Sequence, residues 1–120
     1  MIDVKHLKAS DQLALAALLR LAVRLDGEFS QAEQEALEDV AIDVGERSFW
    51  NLMDEAGRNL PDEESIRTAA LAVTDPEARA AIYECVLHVA RSDAIQTREM
   101  GLLEWLQKNW SLDREGNPIG

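Results

Sequence analysis

The sequence predicts an all-α domain of six or seven helices, and three observations carry that prediction. Apolar residues recur at three- and four-residue spacing in one segment after another, each bounded by a capping residue, a glycine or a proline. Aromatic residues are 5% of the chain, and no window alternates apolar and polar positions as a half-buried strand does. With 120 residues, 47% of them hydrophobic, the chain is expected to form a single domain over 1–120 with a substantial core.

The first helix is expected from Ser10 and Asp11, a suitable cap, to about Leu25. Leu13, Leu15, Leu18, Leu19, Leu21, Ala22 and Val23 make its interior nearly all apolar, and only Arg20 and Arg24 interrupt it, on one stripe. A helix apolar on most sides belongs at the centre of a fold. The stretch Asp26-Gly27-Glu28-Phe29 breaks the chain, Gly27 suiting the positive φ of a helix end. Ser30-Gln31-Ala32-Glu33 then reads as a capping box, with hydroxyl and carboxylate each accepting from the other residue's backbone N–H.

The second helix runs to about Val44 before Gly45. Ala36, Leu37, Val40, Ala41 and Val44 form its inner stripe, and Glu35, Glu38, Asp39 and Asp43 its outer face. Phe49, Leu52, Met53 and Ala56 predict a short third helix ended by Gly57. Pro61 with Asp62, Glu63 and Glu64 starts a fourth, lined by Ile66, Ala69, Ala70 and Val73. Thr74-Asp75-Pro76 opens a fifth, reaching about Ser92. Its segment 78–92 is again apolar on most sides, with Glu84, His88 and Arg91 as a polar stripe, and is expected to be the second central helix. After Asp93-Ala94-Ile95-Gln96 a last helix spans Thr97 to about Trp110, and Ser111 to Gly120 reads as a loose tail.

Charge and run length exclude whole classes of function. Lys and Arg number 12 and Asp and Glu 23, a net charge of −11 that repels nucleic-acid phosphates. The longest unbroken apolar run, Leu13 to Leu19, is far short of the ~20 residues a bilayer span needs. The N-terminus lacks a secretory apolar region, and the one cysteine, Cys85, cannot form an internal disulfide; a cytoplasmic protein is expected.

The chain also carries an internal echo. Leu21-Ala22-Val23-Arg24-Leu25-Asp26 matches His88-Val89-Ala90-Arg91-Ser92-Asp93 in pattern, both ending in Arg-x-Asp. A short break and an amphipathic helix with an early glutamate, Glu33 or Glu99, follow each. Two pseudo-repeated antiparallel hairpins around the two central apolar helices are expected, related by a pseudo-twofold.

The run from Ala22 to Glu33, Ala-x-x-x-Asp-Gly-x-Φ-Ser-x-x-Glu, resembles the tellurite-resistance TerB-like family, and the resemblance extends from about residue 10 to 112. The second copy departs from the motif: Ala94 stands where glycine belongs, and Glu99 comes one residue early. The resemblance implies an all-helical duplicated fold, bacterial stress or metal-related biology, acidic motif residues as divalent-metal ligands, and no established enzymatic reaction. Some members are modules attached to other domains.

From Asp26 to Glu46 there are eight carboxylates and no Lys or Arg. Hard cations such as Ca²⁺ or Mg²⁺, rather than Zn²⁺, suit such oxygen donors. Asp26 and Glu33 bracket the first turn and are the candidate ligands, with Asp93 and Glu99 as counterparts in the poorer second loop. The competing reading gives Asp26 to turn amides, Glu33 to the capping box and the remaining acids to solvent. An EF-hand is excluded, because Gln31 and Leu37 fall where its glycine and bidentate glutamate belong.

Cys85 and His88 are three residues apart, yet Cys85 falls on the inner side and His88 on the polar stripe, so a core thiol is expected in place of a zinc or nucleophile site. Arg20, Arg24 and Arg91 are expected in internal ion pairs with Glu33, Glu99 or Asp93, a small-anion site being the alternative. Trp105 and Trp110 read as packing residues and Trp50 as exposed. No nucleophile–base pair or phosphate loop appears, so an enzyme is not expected. Two functions stay open: a TerB-like module binding a divalent cation weakly, or a metal-free interaction module docking a basic partner through the acidic second helix.

Overall fold

The computed structural model describes residues 6–26, 30–92 and 97–119, with Asp26, Thr97 and Arg98 described through their backbone. Its helices are α1 (Ala9–Asp26), α2 (Gln31–Val44), α3 (Glu46–Asn59), α4 (Glu63–Leu71), α5 (Pro76–Arg91) and α6 (Thr97–Trp110). Among the described residues there is no strand, only an isolated antiparallel bridge between Leu112 and Pro118. No described helix is long and apolar enough to cross a membrane.

Helix α1 packs against α3, α4, α5 and α6. Ala14 through Leu19, Leu21 and Ala22 are all buried, because this helix has no apolar-free side to present to water. Each such leucine contributes about 1.5–3 kcal/mol on burial. Helix α5 is the second centre, packed on α1, α2 and α6, with Ile82, Tyr83, Val86 and Val89 buried. Each central helix thus lies against the helix that follows the other one.

Helix boundaries follow local chemistry in most places. Ser30 Oγ accepts the Glu33 N–H at 3.1 Å and Glu33 Oε1 accepts the Ser30 N–H at 3.2 Å, the expected capping box. Asp75 Oδ1 caps α5 through the Glu77 N–H at 3.0 Å, with Pro76 in the first turn. Three expectations are corrected. Helix α1 starts at Ala9, so Asp11 lies inside its first turn and is no cap. The fourth helix is capped by Asp62, whose Oδ1 accepts the Ser65 N–H at 2.7 Å, and Pro61 stands outside it. Those Ser65 hydrogen bonds hold the Asp62 carboxyl below the ordinary aspartate range. The third helix is full length and runs through Gly57, since this glycine serves packing: a Cβ there would lie 2.8 Å from Arg20 Cζ. The expected turn at Gly27 and the break at 93–96 lie outside the described residues.

The tail expected to be loose is held down over 111–119. Leu112 is buried, Asp113 Oδ1 accepts the N–H groups of Glu115 at 3.0 Å and Asn117 at 2.8 Å, and the Ile119 N–H donates to Ser111 O at 2.8 Å. Tyr83 anchors the loop to the core: its hydroxyl donates to Arg114 O at 3.1 Å and accepts from Gln107 Nε2 at 2.7 Å. Burial pushes the Tyr83 phenol above its usual range, with the Gln107 hydrogen bond opposing. Gly116 closes the turn at φ +89°, where a Cβ would sit 2.8 Å from Tyr83 Cδ2.

Two alanine substitutions should therefore move stability in opposite directions. Gly116→Ala meets both the positive φ and the Tyr83 ring, and is expected to cost about 1–2 kcal/mol. Gly101→Ala lies on α6 with nothing within 4 Å of the added Cβ, and should stabilise by about 0.5–1 kcal/mol. Urea melts of both variants measure the difference, and a neutral Gly116→Ala would mean that the tail is not seated on Tyr83.

Candidate functional site

Among the described residues the buried charged side chains are Asp11, Glu33 and Glu99. Each is the third residue of its helix, α1, α2 and α6 respectively. That position faces the unpaired first-turn N–H groups and the positive end of the helix dipole, the one place where a carboxylate enters a core at low cost. Glu33 is 1% exposed, and its Oε1 accepts from the Ser30 N–H at 3.2 Å and the Ser30 hydroxyl at 3.3 Å. Glu99 is 2% exposed. The burial of Asp11 escaped the sequence reading because a helix that starts at Ala9 turns an expected cap residue into the third residue of the helix.

Of the four candidate ligands, Glu33 and Glu99 are thus buried at matching positions. Asp26 is the last residue of α1, and its side chain and the whole of Asp93 lie outside the described residues. So does the expected approach of Asp26 to Glu33. No three His, Cys, Asp or Glu side chains are grouped to hold a metal ion among the described residues. The geometry that is described gives Glu33 a capping role.

The outer face of α2 is different in kind. Glu35, Glu38 and Asp39 are exposed, Asp43 is half-buried, and among them Ile42 stands 63% exposed. Across the α2–α5 contact His88 Nε2 lies 3.1 Å from Asp39 Oδ2. Ile42 was legible as a residue off the inner stripe, though the sequence reading passed over it. Cys85, one turn before His88 on α5, is buried, and there desolvation, aided by Glu84 and Asp43, pushes its thiol up to about 12. Burial thus holds the thiol in its protonated form, which neither ligates zinc nor attacks as a nucleophile.

The internal ion pairs expected of the arginines are not found among the described residues, and one expected partner, Asp93, lies outside them. Among the described residues none of Arg20, Arg24 and Arg91 has an ion pair; those present join Arg67 to Glu63 at 2.8 Å and His88 to Asp39. Arg24 and Arg91 are exposed, and Arg24 Nη1 donates to Pro61 O at 3.4 Å. Arg20 is half-buried, with its guanidinium over Gly57. Beside it an open cleft of about 390 Å³ is lined by Arg20, Val23, Arg24, Leu37, Trp50, Met53 and Asp54. Trp110 is buried and donates to Ala70 O at 3.1 Å, Arg67 stacks 4.7 Å over Trp105, and Trp50 is 41% exposed, as their spacing suggested. No protein-family model, curated protein or solved structure matches the chain.

Cys85 yields a direct check. The folded thiol keeps its proton up to about 12 and an unfolded one loses it near 9.0. The folded state binds more protons in that window, so this residue weakens the fold as pH rises through it. At pH 8 iodoacetamide should label Cys85 at least roughly a hundredfold more slowly in the folded protein than in urea. Equal rates would show an accessible thiol.

Proposed function

We propose that the chain is a TerB-like, non-catalytic binding module, cytoplasmic and bacterial in its setting, whose working surface is the outer face of α2. The observation that carries this reading is Ile42, 63% exposed in a ring of carboxylates. An aliphatic side chain framed by charges of one sign is the arrangement of an anchor with a steering rim. No Lys or Arg dilutes the field between Asp26 and Glu46. The matching partner is a basic protein segment that presents an apolar residue among its cations.

The duplicated TerB-like arrangement draws support from three features. Helix α1 packs on α6 as α5 packs on α2. Glu33 and Glu99 occupy the same helical position. The cleft at Arg24 and Leu37 has a counterpart of about 360 Å³ at Arg91 and Leu103.

A labelled amphipathic Leu/Lys helical peptide tests the surface by fluorescence anisotropy. The Glu38→Lys/Asp39→Lys double variant should weaken binding at least about tenfold, and Ile42→Ala by about fivefold or more. A control reversal on α4 and α5, Glu64→Lys/Glu77→Lys, should do much less. Equal losses from both reversals would reduce the attraction to overall charge and defeat the reading.

A second reading, divalent-cation binding, is favoured by the burial of Glu33 and Glu99 at matching positions, each following an Arg-x-Asp segment. Asp26 and Glu33 would hold the ion at the first turn, with Asp93 and Glu99 at the second, and Ca²⁺ or Mg²⁺ would suit these oxygen donors. Calorimetric titration of chelator-treated protein with Ca²⁺, Mg²⁺, Mn²⁺ and Zn²⁺ tests it. Asp26→Asn should weaken binding more than Asp93→Asn, because Ala94 resists the φ that glycine allows. Silence with every ion would defeat this reading; equal losses would overturn the ranking alone and make the two loops one joint site.

A further inference from the structure

We propose that the cleft between α1, α2 and α3 binds a small organic acid that carries one negative charge on an apolar body. It is a separate surface from the outer face of α2 and rests on separate residues.

The argument begins with charge. Acids outnumber bases 23 to 12 in this chain, so a guanidinium has carboxylates within easy reach almost anywhere. Yet among the described residues Arg20 and Arg24, one turn apart on α1, have no ion pair, and the half-buried Arg20 shares its cleft with Asp54 without pairing to it. Its position is set sterically. The guanidinium lies over Gly57 of α3, where any Cβ would stand 2.8 Å from Cζ and Nη2. Arg24 is tethered from the other side by the 3.4 Å hydrogen bond to Pro61 O. Both arginines line an open cleft of about 390 Å³.

The rest of the cleft is apolar. Val23, Leu37 and Met53 line it, and Trp50, 41% exposed, forms its rim. The indole is steadied by an edge-to-face contact with buried Phe49, centroids 4.9 Å apart. A guanidinium fork matches a carboxylate or sulfonate, and an apolar wall with an aromatic rim matches a ring or short chain. Asp54 also lines the cleft, so two cations face one anion and the balance suits a monoanion over a dianion. The net charge of −11 repels a polyanionic macromolecule, which leaves a small ligand.

The test is isothermal titration with 2-naphthoate, against neutral 2-naphthol and dianionic 2-naphthyl phosphate. Naphthoate should bind with one site per chain, and naphthol and naphthyl phosphate at least about tenfold more weakly, the range lost with one charge-assisted hydrogen bond. Arg24→Gln, on an exposed side chain that the fold does not need, should weaken naphthoate about tenfold. Arg20→Gln should do the same, and Gly57→Ala should weaken it by displacing Arg20, each checked for an unchanged circular-dichroism spectrum. Arg67→Gln, outside the cleft, should change nothing. Failure of naphthoate to bind at about 5 mM, equal affinity for naphthol, or indifference to both Arg20→Gln and Arg24→Gln would overturn the proposal.

Discussion

Helix α1 offers water almost nothing to solvate between Ala14 and Ala22, and the remaining helices are arranged to hide it. Packing against α3, α4, α5 and α6 removes it from solvent on nearly every side. The two arginines are the exception: Arg24 reaches the surface and Arg20 is half-buried where α3 passes. Gly57, a residue that would ordinarily weaken a helix interior, leaves the room that the Arg20 guanidinium occupies, and a Cβ there would displace that guanidinium. The central burial and the Arg20–Gly57 contact are parts of one packing solution.

The buried acids follow from the same economy. A carboxylate in a core is costly unless its charge is met by hydrogen-bond donors. Asp11, Glu33 and Glu99 all stand at the third position of a helix, close to the positive end of its dipole, and Glu33 Oε1 accepts the Ser30 N–H there. Ser30 and Glu33 complete the arrangement reciprocally at α2. A helix that ends its capping requirement in this way can pack its N-terminus inward, and α2 does so while leaving Glu35, Glu38, Asp39 and Ile42 outside. The inward face of this helix thus serves stability, and the outward face is the one we propose for recognition.

Cys85 and Tyr83 show how α5 connects core to periphery. Neighbouring residues on one helix meet different surroundings. Desolvation keeps the Cys85 thiol protonated and inert, and the Tyr83 hydroxyl finds Gln107 and the Arg114 carbonyl at the core boundary. Through that phenol the segment after α6 is fastened to the core, with Leu112 buried beneath it.

Helix number, the two central helices, the Ser30–Glu33 box, the core placement of Cys85 and the exposure of Trp50 were all legible in the chain, because each depends on residues within a turn or two of one another. Gly57, the tail and the arginines were not. Gly57 has the local chemistry of a helix stop, and only the approach of Arg20 from another helix gives it a different use. Gly116, Pro118 and Gly120 have the composition of a loose end, but Tyr83, more than 25 residues away, supplies an anchor no local pattern contains. Ion pairs were expected of Arg20 and Arg24 because an unpaired charge on a buried helix is costly, yet pairing needs proximity in space, and Glu33 directs Oε1 to its own helix end. Periodicity and capping are short-range forces written into adjacent residues. Which side chains meet across the bundle, and so where a cleft lined by two arginines and a tryptophan opens, is decided only when the helices pack.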